Sequence, residues 1–131
     1  MPIAKGPFEV KLAPLEAYNS DPTAKVGRMS LDKTYRGDIE GTSKGEMLSV
    51  MGEVQGSAAA VAVERVTASL AGKSGSFALY HVGVMEAGVP KYWRVNIAPD
   101  SGTGELVGIK GELKIVIEGK AHSYELEYEL P

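Results

Sequence analysis

The stretch Ser101-Gly-Thr-Gly-Glu-Leu-Val-Gly-Ile-Lys-Gly111, continued by Glu112-Leu-Lys-Ile-Val-Ile117, decides the architecture. A residue without Cβ reaches positive φ at little cost, so glycines on this spacing let the backbone turn sharply and then pack closely. The continuation alternates with period two, which is a strand pattern and not a helical one. The stretch therefore reads as a tight corner that feeds a strand of a closed or nearly closed sheet.

Working outward, the sixteen glycines punctuate short alternating runs along the whole chain, which favours sheet over helix. Phe8, Val10 and Leu12 alternate in a first strand. Ala13 to Thr23 reads as a loop with at most one helical turn. Met29, Leu31, Lys33 and Tyr35 share one face of a second strand, and Gly37-Asp38 makes the next turn. Ile39 to Val54 reads as a strand interrupted at Gly41 and Gly45. Ala58 to Leu70 has alanines that suit a helix, but Val61, Val63, Val66 and Thr67 favour extended backbone. Further strands run from Ser74 to Met85, Tyr92 to Ile97, Leu106 to Ile117 and His122 to Leu130. The last sets Tyr124, Leu126, Tyr128 and Leu130 against Glu125, Glu127 and Glu129, one face buried and the other wet. Eight strands left as an open sheet expose two edges, and closure removes both. The expectation is a single all-β domain over residues 1–131: an eight-stranded antiparallel up-and-down β-barrel with little or no helix. A ring of eight strands encloses enough room for its own side chains or for one small ligand.

Composition narrows the function classes. A chain of 131 residues suits one domain. The net charge of −3 argues against a nucleic-acid footprint, which needs clustered Lys and Arg. There is no cysteine, so disulfides, thiolate chemistry and Cys-ligated metals are excluded. The first residues lack an apolar leader pattern and no run is long enough to span a membrane, which leads to the expectation of a cytoplasmic, non-membrane protein. No cofactor is implied. Gly72-Lys73-Ser74 ends like a phosphate-binding loop, but Thr67 stands where the first glycine belongs and a strand follows. The two histidines, His81 and His122, lie far apart in sequence and make a poor metal site.

Glu64 and Arg65 are the charged residues of the Ala/Val-rich strand, and one of them must face inward. Glu64 shares parity with Ala58, Ala60, Ala62, Val66 and Ala68, which favours Glu64; the opposite orientation, with Arg65 inside, stays open. A buried carboxylate must be paired or neutral. Desolvation raises its pKa, which suits a general acid or base, whereas a structural ion pair leaves it inert. His81 shares a face with Phe77, Leu79 and Met85, either as a hydrogen-bonded core residue or as a polar group lining a pocket. Glu64 and His81 are thus the candidate catalytic pair. Tyr35, Tyr80 and Trp93 are candidate pocket walls, with core packing as the alternative for each. The acidic stripe of the last strand is a solvated surface or a contact between copies.

Taken together, Thr34-Tyr-Arg-Gly-Asp-Ile-Glu-Gly41, Val63-Glu-Arg-Val66, Gly72-Lys-Ser-Gly-Ser-Phe77 with His81-Val-Gly83, and the corner from Ser101 to Gly111 resemble an uncharacterised bacterial domain-of-unknown-function family. The resemblance runs from Gly6 to Leu130. It implies a small barrel of the allene oxide cyclase-like, or calycin-like, type. The corner alone is also similar to plant allene oxide cyclases and dirigent proteins. The cyclase's catalytic set has no residue-by-residue counterpart here, so that activity is not implied.

Three readings follow. The leading one is a barrel that binds a small apolar molecule with one polar group, using Tyr35, Glu64, Tyr80, His81 and Trp93. The second is an isomerase or cyclase in which a carboxylate moves a proton. The third is a structural barrel, filled by its own side chains, that acts through its outer surface or as a homo-oligomer.

Overall fold

A computed structural model describes residues 1–131. Nine strands follow one another: β1 Ile3–Leu15, β2 Val26–Tyr35, β3 Ile39–Met51, β4 Ala58–Leu70, β5 Lys73–Glu86, β6 Val89–Ile97, β7 Thr103–Gly104, β8 Lys110–Glu118 and β9 Ala121–Glu129. There is no helix. All but β7 form one antiparallel ring, each strand beside its neighbour in the chain, with β9 pairing back onto β1. The all-β barrel expected from the sequence is the fold observed. The short β7 lies outside the ring, on the start of β5, where Gly75 and Ser76 oppose Gly104 and Thr103.

Alternation fixes which side chains enter the ring. On β4, Ala62, Glu64, Val66, Ala68 and Leu70 are buried while Val61, Val63, Arg65 and Thr67 are exposed. Glu64 is therefore the inward residue of the Glu64–Arg65 pair. Arg65 instead reaches across the outer wall to the carbonyl of Ser101 at 2.8 Å.

One half of the barrel is filled by its own side chains. Ile39, Leu70, Phe77, Leu106, Ile109 and Leu126 are essentially inaccessible there, each contributing roughly 1.5–3 kcal/mol through burial. The Tyr124 hydroxyl accepts from the Ile39 amide at 2.8 Å and donates to the Arg36 carbonyl at 2.6 Å, fastening the β2–β3 turn to β9. In the other half the small residues Ala60, Ala62 and Gly83 of β4 and β5 are among the lining of an open space.

Three element boundaries differ from the sequence reading. The strand expected from Leu106 begins at Lys110; Leu106 to Gly108 form turns, and Leu106 and Ile109 plug the packed end of the barrel. Their apolar side chains mimic a strand pattern, but what they satisfy is the end of the core. β3 is not interrupted at Gly41 or Gly45. A Cβ on Gly45 would lie 1.9 Å from the Val63 carbonyl oxygen, so this glycine permits close approach of β4 and does not break the strand. Finally, Ala13 to Leu15 continue β1, paired with Ser30 to Arg28, and the loop after them holds a single turn in which the Ala24 amide donates to the Asp21 carbonyl at 3.0 Å.

Candidate functional site

The site grows from the inward parity of four neighbouring strands. Lys33 and Tyr35 come from β2, Ser43 from β3, Glu64 from β4 and His81 from β5. Lys33 and Ser43 oppose each other directly, as do Glu64 and the side-chain-free Gly45. Gly45 thus lets the β4 backbone at Val63 and Glu64 lie close against β3.

Four donors meet one carboxylate. Glu64 Oε1 accepts from the Tyr35 hydroxyl at 2.5 Å and the Ser43 hydroxyl at 2.9 Å. Oε2 accepts from Lys33 Nζ at 2.8 Å and His81 Nε2 at 2.6 Å. An ionised carboxylate only accepts, which assigns the proton of the imidazole contact to Nε2. The Glu64 side chain is fully buried, and no buried polar side-chain atom in the protein lacks a partner.

Burial alone pushes the Glu64 carboxyl upward. The His81 hydrogen bond and the Lys33 charge more than offset it and hold the pKa at about 2. The Tyr35 phenol is driven well above its ordinary range, by burial first and by the adjacent Glu64 charge second. The raised carboxyl pKa that a general acid or base needs is therefore not found. The sequence reading weighed a desolvated Glu64 against a structural ion pair; it did not name Lys33, Ser43 or Tyr35 as the donors that surround it.

Above this cluster opens a cavity of about 220 Å³. Its walls are mostly apolar, with Phe8, Val10, Leu31, Met47, Ala62 and Trp93 among them; Lys33, His81 and His122 supply the polar surface. The Lys33 ammonium sits 5.0 Å from the centroid of the Phe8 ring, and the His122 ring lies 5.5 Å from the same centroid, tilted by 57°.

The sequence-predicted residues divide among three places. Glu64 and His81 bond to each other beneath the cavity. Tyr35 lies in the same cluster but is buried under it. Trp93 stands at the cavity wall, half exposed near the mouth. Tyr80 does not belong to the site: it opposes Val63 on the outer wall, one residue out of phase with His81. Its aromatic character suggested a pocket, but its parity sends it outward. Lys33, Ser43 and His122 were missed as site residues. The signal for Lys33 was its place between Leu31 and Tyr35 on one face; for His122 it was the shared parity with Tyr124.

The sequence matches the family described as "Protein of unknown function (DUF3224)" over residues 4–128. The chain belongs to that family of small all-β barrels. It is similar to a crystal structure of a DUF3224 protein of unknown function from Shewanella oneidensis MR-1, with 43% identity and a TM-score of 0.92, covering 100% of this chain and 98% of that one. No curated protein matches it. The allene oxide cyclase and dirigent activities are not carried over to this chain.

Proposed function

We propose that the barrel is a receptor for a small apolar molecule bearing one polar group. The observation that carries this reading is the asymmetry of the interior. One half is packed to the point of exclusion, while the other keeps an apolar cavity of about 220 Å³ above a charged, hydrogen-bonded cluster. Apolar pockets with a few convergent polar groups are the usual form of a small-molecule site. Proton-transfer catalysis is the weaker reading, because Glu64 is held ionised with all its acceptor capacity engaged. A cytoplasmic setting belongs to the same proposal and rests on the cysteine-free composition. No helix of the protein is long and apolar enough to cross a membrane.

Native mass spectrometry of gently purified protein tests the proposal. The wild type should carry a reproducible small-molecule adduct. Ala60→Phe, which fills the cavity from a position opposite Gly83, should lose it. A bare wild-type mass, together with no thermal shift across a library of hydrophobic compounds, contradicts the reading.

A second reading, compatible with the first, concerns the outer wall. Leu48, Val50, Val61, Val63 and Tyr80 are all at least 41% exposed and adjacent across β3, β4 and β5. Together they form a contiguous exposed apolar patch, a feature that is often functional. The occupant we propose is a second copy of this chain. The centre of the patch carries no charge, so a two-fold contact stacks it on itself without opposing like charges.

A further inference from the structure

The hydrogen-bonding capacity left over at the base of the cavity specifies the head group of its ligand. Resting on the receptor reading above, we infer that this head group is a neutral hydroxyl, of an alcohol or a phenol, and not an anion.

Glu64 offers a ligand nothing, because each of its oxygens already accepts two hydrogen bonds from the protein. Lys33 is different. An ammonium has three N–H groups, and one goes to Glu64. The rest have no hydrogen-bond partner in the protein, and the rings of Phe8 and Tyr35, 5.0 and 5.8 Å away, give the ammonium weak cation–π contacts. A neutral His81 imidazole that gives its Nε2–H to Glu64 keeps a lone pair on Nδ1. That atom has no hydrogen-bond partner in the protein and is not fully buried, and His81 is part of the cavity lining. Lys33 Nζ and His81 Nε2 bond the same carboxylate oxygen, at 2.8 and 2.6 Å, so the two side chains are close neighbours in the cavity wall.

The residual inventory is thus a donor beside an acceptor. A hydroxyl satisfies both, accepting from Lys33 and donating to His81. A hydrocarbon leaves both dehydrated and unpaired, which is costly. A carboxylate accepts from Lys33 but sets its charge against the Nδ1 lone pair and against Glu64, whose charge Lys33 already neutralises. His122, the other titratable group at the cavity, packs against Phe8 and bonds neither Lys33 nor Glu64. Size points to a modest ligand. An engineered cavity of about 150 Å³ holds benzene, so about 220 Å³ suits a ring with a short chain.

The test compares three probes of one shape by backbone-amide NMR titration at pH 8: 4-propylphenol, propylbenzene and 4-propylbenzoate. The phenol should bind about tenfold more tightly than either analogue, the scale of one or two buried hydrogen bonds. Its shifts should centre on Ala62, His81 and the Trp93 indole. Equal affinity for the phenol and propylbenzene, or tightest binding of the carboxylate, overturns the head-group inference and leaves the receptor reading standing. Failure of all three to bind, or shifts confined to the outer wall, overturns both. The ranking is read on the wild type and needs no variant to fold. His81→Phe then adds a check: it should abolish the preference for the phenol while propylbenzene still binds.

Discussion

Glu64 shows how a buried charge is made tolerable. An isolated carboxylate in an apolar interior is prohibitively costly, and the sequence answers with four donors from three other strands. Removing the carboxylate should therefore cost more than the pair itself contributes, because Lys33 is left buried without a counter-charge. Glu64→Gln should destabilise the fold by about 3–5 kcal/mol. Adding Lys33→Met to it should recover a large part of that loss in urea unfolding, since the two residues are coupled. Acid provides an independent handle. The folded-state pKa of Glu64 is about 2, below the ordinary 4.5, so the unfolded chain binds more protons between those values. Its contribution is present above pH 4.5 and is lost as pH falls towards 2. The pH dependence of urea unfolding in that window should carry roughly 3 kcal/mol from this residue. The Lys33→Met Glu64→Gln protein should lack that component. That Glu64 points inward was legible from its parity with the alanines. That it is saturated by Lys33, Ser43 and Tyr35 was not, because the cluster depends on cross-strand register, which one strand's pattern does not contain.

At the scale of elements, the Gly-rich corner does more than turn the chain. A Cβ on Gly102 would lie 2.0 Å from the Leu106 carbonyl oxygen, so the loop folds tightly onto itself and drives Leu106 and Ile109 into the end of the barrel. Gly102→Ala should force that backbone apart and loosen the plug, with a loss of about 2 kcal/mol or more. Gly83→Ala is the contrasting case. Its Cβ meets only Trp93 Cδ1, at 3.9 Å, and thermal unfolding should move little. A similar drop in melting temperature for both would mean that the close approach at Gly102 is not what holds the corner. The corner itself was readable from its glycines. The plug was not, because Leu106, Val107 and Ile109 imitate the start of a strand, and only the closed end of a barrel explains why two of them are buried. Tyr80 taught the converse: residue type suggested a binding wall, while phase relative to His81 already placed it outside.

As a whole, the molecule is a barrel with two unlike ends and an apolar flank. The closure of eight strands followed from short alternating runs and the need to remove sheet edges. The cavity did not, because its volume depends on how far Ala60, Ala62 and Gly83 fall short of filling the space that the ring dictates. The flank leads to its own expectation. Sedimentation velocity should show a concentration-dependent dimer, and Val61→Lys combined with Val63→Lys should shift it to monomer without lowering thermal stability. A wild type that stays monomeric at all concentrations removes the self-association reading and leaves the interior site untouched. For that interior site, the most direct measurement is a crystal structure of the protein grown with 4-propylphenol. The account predicts the ring among Phe8, Val10 and Trp93, with the hydroxyl in hydrogen-bonding contact with Lys33 Nζ and His81 Nδ1. A cavity closed by its own side chains, or a phenol bound only on the outer wall, would contradict it.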